Sequence, residues 1–252
     1  MQNQPSGKEN VFISLIVPMK NECSCVEELF ARVRNVFDKK FKGRWEILMI
    51  DDGSTDSSLD AINRLAKKYP EIRPFHHKKS RGQAGCFDTG FNNAFGEYCI
   101  TMDGDLQVMP EDVPLFISRI EEGYELINGI RTARKHPFWI KVASRLYNLA
   151  MLILFNCPVL DAASNFTAVR TNYIKGVHLK GNDHRYVVPI AMTRGAKNIT
   201  EVAIRHNARS SGRSKYSAFP KYIKGPFEII VFWIKFRVLN TYGKVRSKRN
   251  QQ

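Results

Sequence analysis

Over its first half the chain alternates short apolar runs with longer stretches whose apolar residues recur at helical spacing. Phe12–Val17 and Trp45–Ile50 are runs of the kind that form buried strands, and Val26–Phe37 between them has the spacing of a helix face. A chain with this pattern forms a mainly parallel sheet that helices cover on both faces. The sequence therefore predicts an α/β fold.

The alternation continues to about residue 130 and then becomes less regular. It contains neither an internal repeat nor a flexible linker, which is typical of a single domain. The further elements that we predict are the helix Leu59–Lys68, the strands Ile72–His76 and Tyr98–Met102, the helix Phe138–Phe155, the strand Phe166–Val169, the helix Tyr186–Arg194 and the strand Ile199–Ile204.

The formal net charge of +15 comes from 39 Lys and Arg against 24 Asp and Glu. Such an excess favours anionic partners, namely nucleic acid, phospholipid headgroups or phosphorylated substrates. The cations concentrate in residues 205–248, where Glu228 is the one acid, whereas acids cluster at Asp51–Asp60 and Asp103–Asp112. Because the acidic clusters would repel nucleic-acid phosphates, we expect no nucleic acid partner.

The five cysteines show no paired spacing, and the polar N-terminus lacks the apolar stretch of a secretion signal. We therefore expect reduced thiols and a cytoplasmic location. No run reaches the ~20 consecutive apolar residues that a membrane-spanning helix needs.

Polar motifs follow three of the predicted strands, at Pro18, Asp51–Asp52 and Asp103–Asp105. Ligands of such sheets bind beyond the carboxyl ends of the strands. We therefore expect the three motifs to meet at one edge of the sheet.

Asp103 and Asp105 flank Gly104 directly after a predicted strand, where the chain must turn. Two carboxylates are costly to bring together unless a cation compensates their repulsion. Mg²⁺ or Mn²⁺ accepts carboxylate oxygens and leaves positions open for substrate phosphates. The alternative is a solvated turn, in which Asp is common. The strand-end position favours the metal, and Gln107 could add an amide oxygen.

The other motifs allow two interpretations each. Two acids directly after a buried strand exceed what a turn requires, so Asp52 is a candidate for binding a base or ribose, whereas Asp56 suits a helix cap. Pro18 and Glu22 either end a strand and begin a helix or bind a nucleotide. Arg209–Lys215 groups three cations with hydroxyls and a glycine, which suits a phosphate or a solvated loop.

Taken together, these motifs resemble those of glycosyltransferase family 2, which has a GT-A fold. Within the family they are most similar to the polyprenyl-phosphate glycosyltransferases, the group that contains dolichol-phosphate mannose synthase. The basic motif is the more specific one, since many family members share the others. The matching segments are VPMKNE at 17–22, DDGSTD at 51–56, MDGDLQ at 102–107, NGIR at 128–131 and RSSGRSKY at 209–216.

The resemblance implies a role for each matching residue. Those implied to hold the nucleoside are Pro18, Lys20, Glu22, Ile50 and Asp52. Those implied at the metal and the donor diphosphate are Asp103, Gly104, Asp105 and Gln107. Those implied at the donor or acceptor phosphate, or in catalysis, are Arg131, Asp161, Arg209, Arg213, Ser214 and Lys215.

The chain departs from the family pattern in two places. Asn165–Ala168 stands where relatives usually have Ser-Phe-Arg-Leu, so the arginine is missing. The two spanning helices that many bacterial relatives carry near the C-terminus are also not expected here. Phe219–Leu239 instead suits interfacial helices, with aromatic and apolar residues for the acyl boundary and Lys and Arg for headgroups. The alternative is that Phe227–Leu239 packs on the domain or on a partner subunit.

We therefore expect a metal-dependent, inverting glycosyltransferase that moves a hexose from a UDP- or GDP-sugar to dolichyl or undecaprenyl phosphate. Residues 1–10 are expected to be disordered, 11–217 to form the GT-A domain and 218–252 to form a basic amphipathic tail at the cytoplasmic face of a membrane. A membrane partner subunit and a homo-oligomer both stay open. The alternative acceptor is a sugar hydroxyl in surface polysaccharide or glycolipid synthesis, for which Asp161 would be the general base.

Overall fold

The computed structural model of the chain describes residues 11–41, 43–131, 138–162, 164–205, 228–238 and 241–242, with the backbone alone for 138–141. Within these residues seven strands form one sheet in the order β3-β2-β1-β4-β6-β5-β7. In chain order they are β1 (Ile13–Met19), β2 (Trp45–Asp51), β3 (Ile72–His76), β4 (Tyr98–Thr101), β5 (Leu126–Arg131), β6 (Thr167–Arg170) and β7 (Ile199–Ile204). Neighbouring strands are parallel except that β6 is antiparallel to both β4 and β5. The predicted mainly parallel sheet is confirmed.

Helices flank this sheet. In chain order they are α1 (Cys23–Phe41), α2 (Ser58–Lys68), α3 (Gly82–Asn93), α4 (Val113–Glu121), α5 (Phe138–Phe155) and α6 (Val187–Thr193). A 3₁₀ helix, Asp183–Tyr186, precedes α6. Residues 228–233 are α-helical and continue into a π-helix, Ile234–Val238, and we call 228–238 the C-terminal segment.

An apolar core lies on each face of the sheet. One core packs α1, α2 and α4 against it, and the other packs α3, α5, α6 and the C-terminal segment. Along β1, Leu15 and Val17 enter the first core and Ile16 enters the second. Alternate side chains of a strand point to opposite faces, so a strand that is buried on both faces has the continuous apolar run seen in this sequence.

Strand β1 continues to Met19, one residue beyond the proline predicted to end it. Pro18 pairs with Ile50 of β2, so the strand keeps its register there. A Cβ on Gly104 would lie 2.9 Å from the Pro18 carbonyl oxygen, so this oxygen faces the loop that follows β4. In a strand, the N–H and the C=O of one residue point to the same side, so the Pro18 nitrogen faces β4 as its carbonyl does. The pairing between β1 and β4 already ends at Ile16 and Thr101. Pro18 therefore loses no ladder bond by lacking an N–H.

The C-terminal segment packs on the domain. Phe232 is 2% exposed and stacks on Tyr186 with the ring centroids 3.7 Å apart. It also contacts Phe155 of α5. For these residues the geometry agrees with the alternative in which the tail packs on the domain, whereas the rest of the proposed interfacial tail lies outside the described residues and stays a prediction. Among the helices of the described ranges, none has both the length and the apolar character to cross a bilayer.

Candidate active site

The motifs that follow β1, β2 and β4 meet at the carboxyl edge of the sheet. The Asp52 N–H donates to the Met19 carbonyl over 2.8 Å, and the His77 N–H donates to the Asp51 carbonyl over 2.9 Å. Gly104 lies against the end of β1, as described above. The parallel order of these strands brings together residues that are about 85 positions apart in sequence.

The loop after β1 is hydrogen-bonded to the loop after β2. The main-chain N–H of Asn21 donates to Ser54 Oγ, and that of Glu22 donates to Ser58 Oγ, each over 2.9 Å. Asp56 accepts hydrogen bonds from the N–H and the hydroxyl of Ser58 at the start of α2. The two motifs predicted to bind the nucleoside therefore form one connected surface.

Asp52 is held by four hydrogen-bond partners from the turn between β3 and α3. His77 Nδ1 and the Arg81 N–H lie 2.8 Å from Asp52 Oδ1, and Ser80 Oγ and the Gly82 N–H lie 2.6 and 2.9 Å from Oδ2. Burial alone would raise the pKa of this carboxyl, but the hydrogen bonds outweigh it and lower the pKa to about 2. Asp52 is thus an ionised, rigidly held carboxylate.

Asp52, His77 and Cys86 place potential metal-ligand atoms within 4.8 Å of one another. Both oxygens of Asp52 are already engaged by hydrogen bonds. Burial, followed by the charge of Asp52, raises the pKa of the Cys86 thiol well above its usual range, and a metal binds the thiolate. His77 Nε2 lies 2.9 Å from Thr89 Oγ1. A hydrogen-bonded cluster explains these contacts, and the geometry gives no reason to place a metal there.

The Asp103 carboxylate accepts fewer hydrogen bonds than that of Asp52. Gln83 Nε2 donates to its Oδ1 over 2.6 Å, and Asn165 Nδ2 lies 3.5 Å from its Oδ2. Burial first, and then the negative charge of Asp105, raise the pKa of Asp103 to about 6, although Asn165 and Arg131 act in the opposite direction. The raised pKa shows that the neighbouring groups only partly offset burial and the charge of Asp105, and a divalent cation would favour the ionised form, so the donor set at Asp103 and Asp105 fits the predicted metal.

The turn that carries these two aspartates is tight. Asp105 Oδ1 accepts a hydrogen bond from the Gln107 N–H over 3.1 Å, and Leu106 has a positive φ of 58°. A side chain on Gly104 would collide with the end of β1. The glycine between the aspartates is therefore required by close packing, and this packing fixes where the two carboxylates lie.

Arg131, the last residue of β5, forms a bidentate ion pair with Asp161. Its Nε and Nη2 each lie 2.7 Å from a different oxygen of Asp161. The two side chains are only 11% and 16% exposed. Sequence reasoning predicted both residues at the phosphate and acceptor side but did not predict that they pair. Arg131 is also close enough to Asp103 to lower the pKa of that carboxyl, so the pair belongs to the same site.

Strands β5 and β7 hold the backbone beside this pair. Glu201 of β7 accepts hydrogen bonds from the Leu160 N–H over 2.8 Å and from the Asn128 side-chain amide over 3.0 Å. The same Asn128 amide donates to the Asp161 carbonyl over 3.0 Å. These contacts hold the backbone at Asp161 independently of the ion pair.

The structure brings most of the predicted site residues to one edge. Ile50 is different, because its side chain is fully buried in the core and only its backbone could reach a nucleoside. The Lys20 side chain is exposed, and Pro18 and Glu22 are partly exposed. The predicted acceptor-phosphate residues Arg209, Arg213, Ser214 and Lys215 lie outside the described residues. The ligand-binding roles of all these residues stay predictions.

Sequence reasoning missed four residues that support the site. They are Gln83 and Asn165 beside Asp103, His77 beside Asp52, and Glu201 beside Asp161. The sequence offered one signal, the glycine-containing segment Ser80–Gly85, in which Gln83 lies. None of the other three belongs to a motif that predicts its contact.

Comparisons with known proteins agree with these motifs. A family model described as Glycosyl transferase family 2 matches residues 14–177. An undecaprenyl-phosphate 4-deoxy-4-formamido-L-arabinose transferase of Pseudomonas syringae pv. syringae is 31% identical over 209 residues, which are 82% of this chain and 61% of that protein. The transferase of the same name from Salmonella choleraesuis is 28% identical over 236 residues, covering 92% of this chain and 71% of that protein. The chain thus spans about three fifths of the length of the first relative.

Solved structures share the fold. Glucosyl-3-phosphoglycerate synthase from Mycobacterium tuberculosis, in complex with Mn²⁺ and uridine-diphosphate-glucose, has a TM-score of 0.66 at 16% identity over 90% of this chain and 79% of that chain. S. aureus TarS, residues 1–349, in complex with UDP-GlcNAc, has a TM-score of 0.63 at 17% identity over 89% and 67%. At these identities the likeness concerns the fold alone, and it confirms the predicted GT-A fold.

Proposed function

Because the chain belongs to glycosyl transferase family 2, we propose that it transfers a sugar from a nucleoside diphosphate donor to a polyprenyl phosphate. The 4-deoxy-4-formamido-L-arabinose transferases that resemble it are named for undecaprenyl phosphate, which supports a lipid phosphate acceptor. Their names also specify a sugar that is not a simple hexose, so we propose such sugars as candidate donors beside the hexoses expected from the sequence. A UDP-sugar donor is supported by the fold neighbours, whose complexes hold UDP-glucose or UDP-GlcNAc.

The observation that carries the acceptor assignment is the Arg131–Asp161 pair. Both oxygens of Asp161 accept hydrogen bonds from the guanidinium, which stabilises the ionised carboxylate and makes it a weaker base towards a sugar hydroxyl. A lipid phosphate needs no such base, because its second pKa is about 6 and its oxygen is already anionic near neutral pH. The pairing therefore favours an anionic acceptor over the hydroxyl acceptor of the alternative function.

The donor site follows from the carboxyl edge of the sheet. Asp52 and the connected loops after β1 and β2 form a rigid surface for the nucleoside. A divalent ion, Mg²⁺ or Mn²⁺, held by Asp103 and Asp105 with Gln107 as a further candidate ligand, would supply charge neutralisation for the leaving diphosphate. Gln83 holds Asp103 in position for that role through a 2.6 Å hydrogen bond.

The reaction that fits this arrangement is a single inverting displacement. An oxygen of the lipid phosphate attacks the anomeric carbon and forms the new C–O bond as the bond to the donor diphosphate breaks. The nucleoside diphosphate leaves with the bonding electron pair. Arg131 would stabilise charge on the phosphates, and Arg209, Arg213, Ser214 and Lys215 are proposed to hold the acceptor phosphate. The protein acts mainly by positioning and by electrostatic stabilisation.

We place the protein at the cytoplasmic face of a membrane, where a lipid phosphate would be reached. This follows from the proposed acceptor and from the basic composition of residues 205–248. A membrane partner subunit and a homo-oligomer both stay compatible with this placement.

The test is sugar transfer to a short polyprenyl phosphate by Asp105→Asn and Lys215→Ala variants, with Arg119→Ala as the control. The Arg119 side chain on α4 is 42% exposed and pairs with Glu122, on the face of the sheet opposite α5, so its loss should leave turnover unchanged. We expect turnover to fall by about 100-fold or more in Asp105→Asn, because the variant loses a carboxylate that would hold the ion neutralising the leaving diphosphate. Unchanged turnover in both site variants would overturn the proposal.

The donor and the acceptor class are identified by two further measurements. Thermal stability across a panel of UDP- and GDP-sugars with Mn²⁺ finds the donor, since a ligand that binds only the folded state raises its apparent stability. The panel includes hexoses and 4-deoxy-4-formamido-L-arabinose. Offering free oligosaccharide in place of polyprenyl phosphate tests the alternative, and transfer to the oligosaccharide alone would favour the hydroxyl acceptor.

A further inference from the structure

Helix α5 turns apolar side chains towards solvent. Val142, Leu146, Leu149 and Ile153, which we call the α5 stripe, are 37%, 62%, 50% and 71% exposed. Their spacing of four, three and four residues places them on one side of the helix. The opposite side is buried in the core through Met151 and Phe155. A helix that packs on a domain normally exposes a polar side, whereas α5 is apolar on its exposed side as well as on its buried side.

Other apolar side chains are exposed near this helix. Leu152 lies on α5, and Leu160 accepts a hydrogen bond through its carbonyl from the Asn148 side chain of α5. The C-terminal segment, which packs on α5 through Phe155, exposes Ile230 and Ile234. Single exposed apolar residues are ordinary, but a group of this size marks an interaction surface.

The charges on α5 identify the kind of partner. Its sequence, FWIKVASRLYNLAMLILF, contains Lys141 and Arg145 and no acid, and the Arg145 side chain is exposed. An apolar helix side with cations and without anions suits the boundary between acyl chains and anionic headgroups. A second copy of this chain fits less well, because a twofold contact through α5 would bring equal charges together without an acid on either helix.

The position of the stripe is also informative. Asn148 connects α5 to Leu160, and the next residue is Asp161 of the Arg131 pair. The exposed apolar surface therefore ends at the edge of the site where the proposed acceptor phosphate would be bound. A polyprenyl phosphate has its phosphate at the headgroup level and its chain in the bilayer, so the stripe and the ion pair match the two parts of that molecule.

We infer that the α5 stripe rests in the acyl–headgroup boundary of a bilayer and orients the Arg131–Asp161 edge towards the membrane. This inference rests on the proposed function, and it assigns membrane contact to α5 in addition to the basic tail. In this arrangement α5 would lie in the plane of the surface, with the stripe towards the acyl chains and with Met151 and Phe155 towards the domain.

The test compares the unmodified chain with a Leu146→Gln/Leu149→Gln variant. The matched control is Leu115→Gln, because Leu115 is a 43% exposed leucine on α4, which packs on the opposite face of the sheet. Flotation with vesicles of phosphatidylethanolamine and phosphatidylglycerol measures binding in the absence of substrates. We expect vesicle binding to fall by about tenfold or more in the double variant and to stay within about twofold in the control.

Transfer and oligomeric state complete the test. The double variant should lose transfer to a long polyprenyl phosphate in vesicles and keep transfer to a short, water-soluble one. Flotation of the double variant equal to that of the unmodified chain, or no flotation of either, would overturn the inference. So would light scattering that shows a dimer which the double variant dissociates, since the stripe would then be a contact between copies. If the stripe variant loses flotation but the unmodified chain transfers sugar to neither lipid, the proposed function fails and the membrane contact stands.

Discussion

Asp52, Asp103 and Asp161 lie in three different environments, although the sequence shows only that they follow strands or precede the acceptor motif. Asp52 accepts four hydrogen bonds, and the pKa of its carboxyl falls to about 2. Asp103 has two amide partners and a nearby acid, and the pKa of its carboxyl rises to about 6. Asp161 is paired with a guanidinium. The surroundings suggest separate tasks for the three, namely holding a loop, binding a cation and orienting an arginine.

The surroundings of Asp52 lead to a stability prediction. In Asp52→Asn the amide nitrogen would face donors such as the Gly82 N–H, so a buried donor loses its acceptor. We expect the free energy of unfolding near pH 7 to fall by about 1–3 kcal/mol, the cost of an unsatisfied buried group. Urea unfolding measures it, and Asp60→Asn on the exposed side of α2 is the control.

The same variant should show a pH dependence of known sign. The pKa of Asp52 is about 2 in the folded chain, below the ~3.9 of an unfolded one. Its contribution is therefore complete above about pH 4 and is lost as pH falls towards 2. The stability difference between the unmodified chain and Asp52→Asn should shrink over this window. A difference that stays constant from pH 5 to pH 2 would contradict the origin we assign to it.

At the scale of elements, periodicity predicts the well-patterned helices and strands. The helix Phe138–Phe155 and the strands Ile72–His76 and Ile199–Ile204 have the bounds expected from the sequence. Strand β5 was not predicted, because Asn128, Gly129 and Arg131 interrupt its apolar run. The antiparallel direction of β6 is also absent from the pattern, since direction depends on which strand pairs with which.

The same limit applies to the candidate site. Motifs directly after strands are visible in the sequence, and this is why Asp52, Asp103 and Asp105 were identified. Glu201 lies 40 residues from Asp161 and reaches it only because β7 pairs with β5. Gln83 reaches Asp103 from the start of α3. Such contacts depend on tertiary register, which a local pattern does not contain.

The C-terminal segment carries a prediction at this scale. Phe232 is buried against Tyr186 and Phe155, so Phe232→Ala removes aromatic contacts and leaves a cavity. We expect a loss of about 3–5 kcal/mol in the free energy of unfolding. Ile230→Ala on the exposed side of the same helix should cost less than about 0.5 kcal/mol. Equal and small losses in both variants, measured by urea unfolding, would mean that the segment is not part of the folded core.

At the scale of the whole molecule, charge and apolar surface act together. At the proposed membrane contact, the net charge of +15 would attract the chain to anionic lipids over a distance that salt shortens. The α5 stripe would gain its free energy from apolar burial, which salt does not screen. The two contributions can therefore be separated by ionic strength.

The last prediction concerns this separation. At about 0.1 M salt the Debye length is about 10 Å, and the chain should prefer vesicles with phosphatidylglycerol to vesicles of phosphatidylcholine alone. At about 1 M salt the length falls to about 3 Å, and flotation with the two kinds of vesicle should become equal and weaker without vanishing. The residual binding should be lost in Leu146→Gln/Leu149→Gln, because it comes from the α5 stripe. A lipid preference that survives high salt would show that binding depends on specific headgroup contacts, and residual binding in the stripe variant would assign it to another surface.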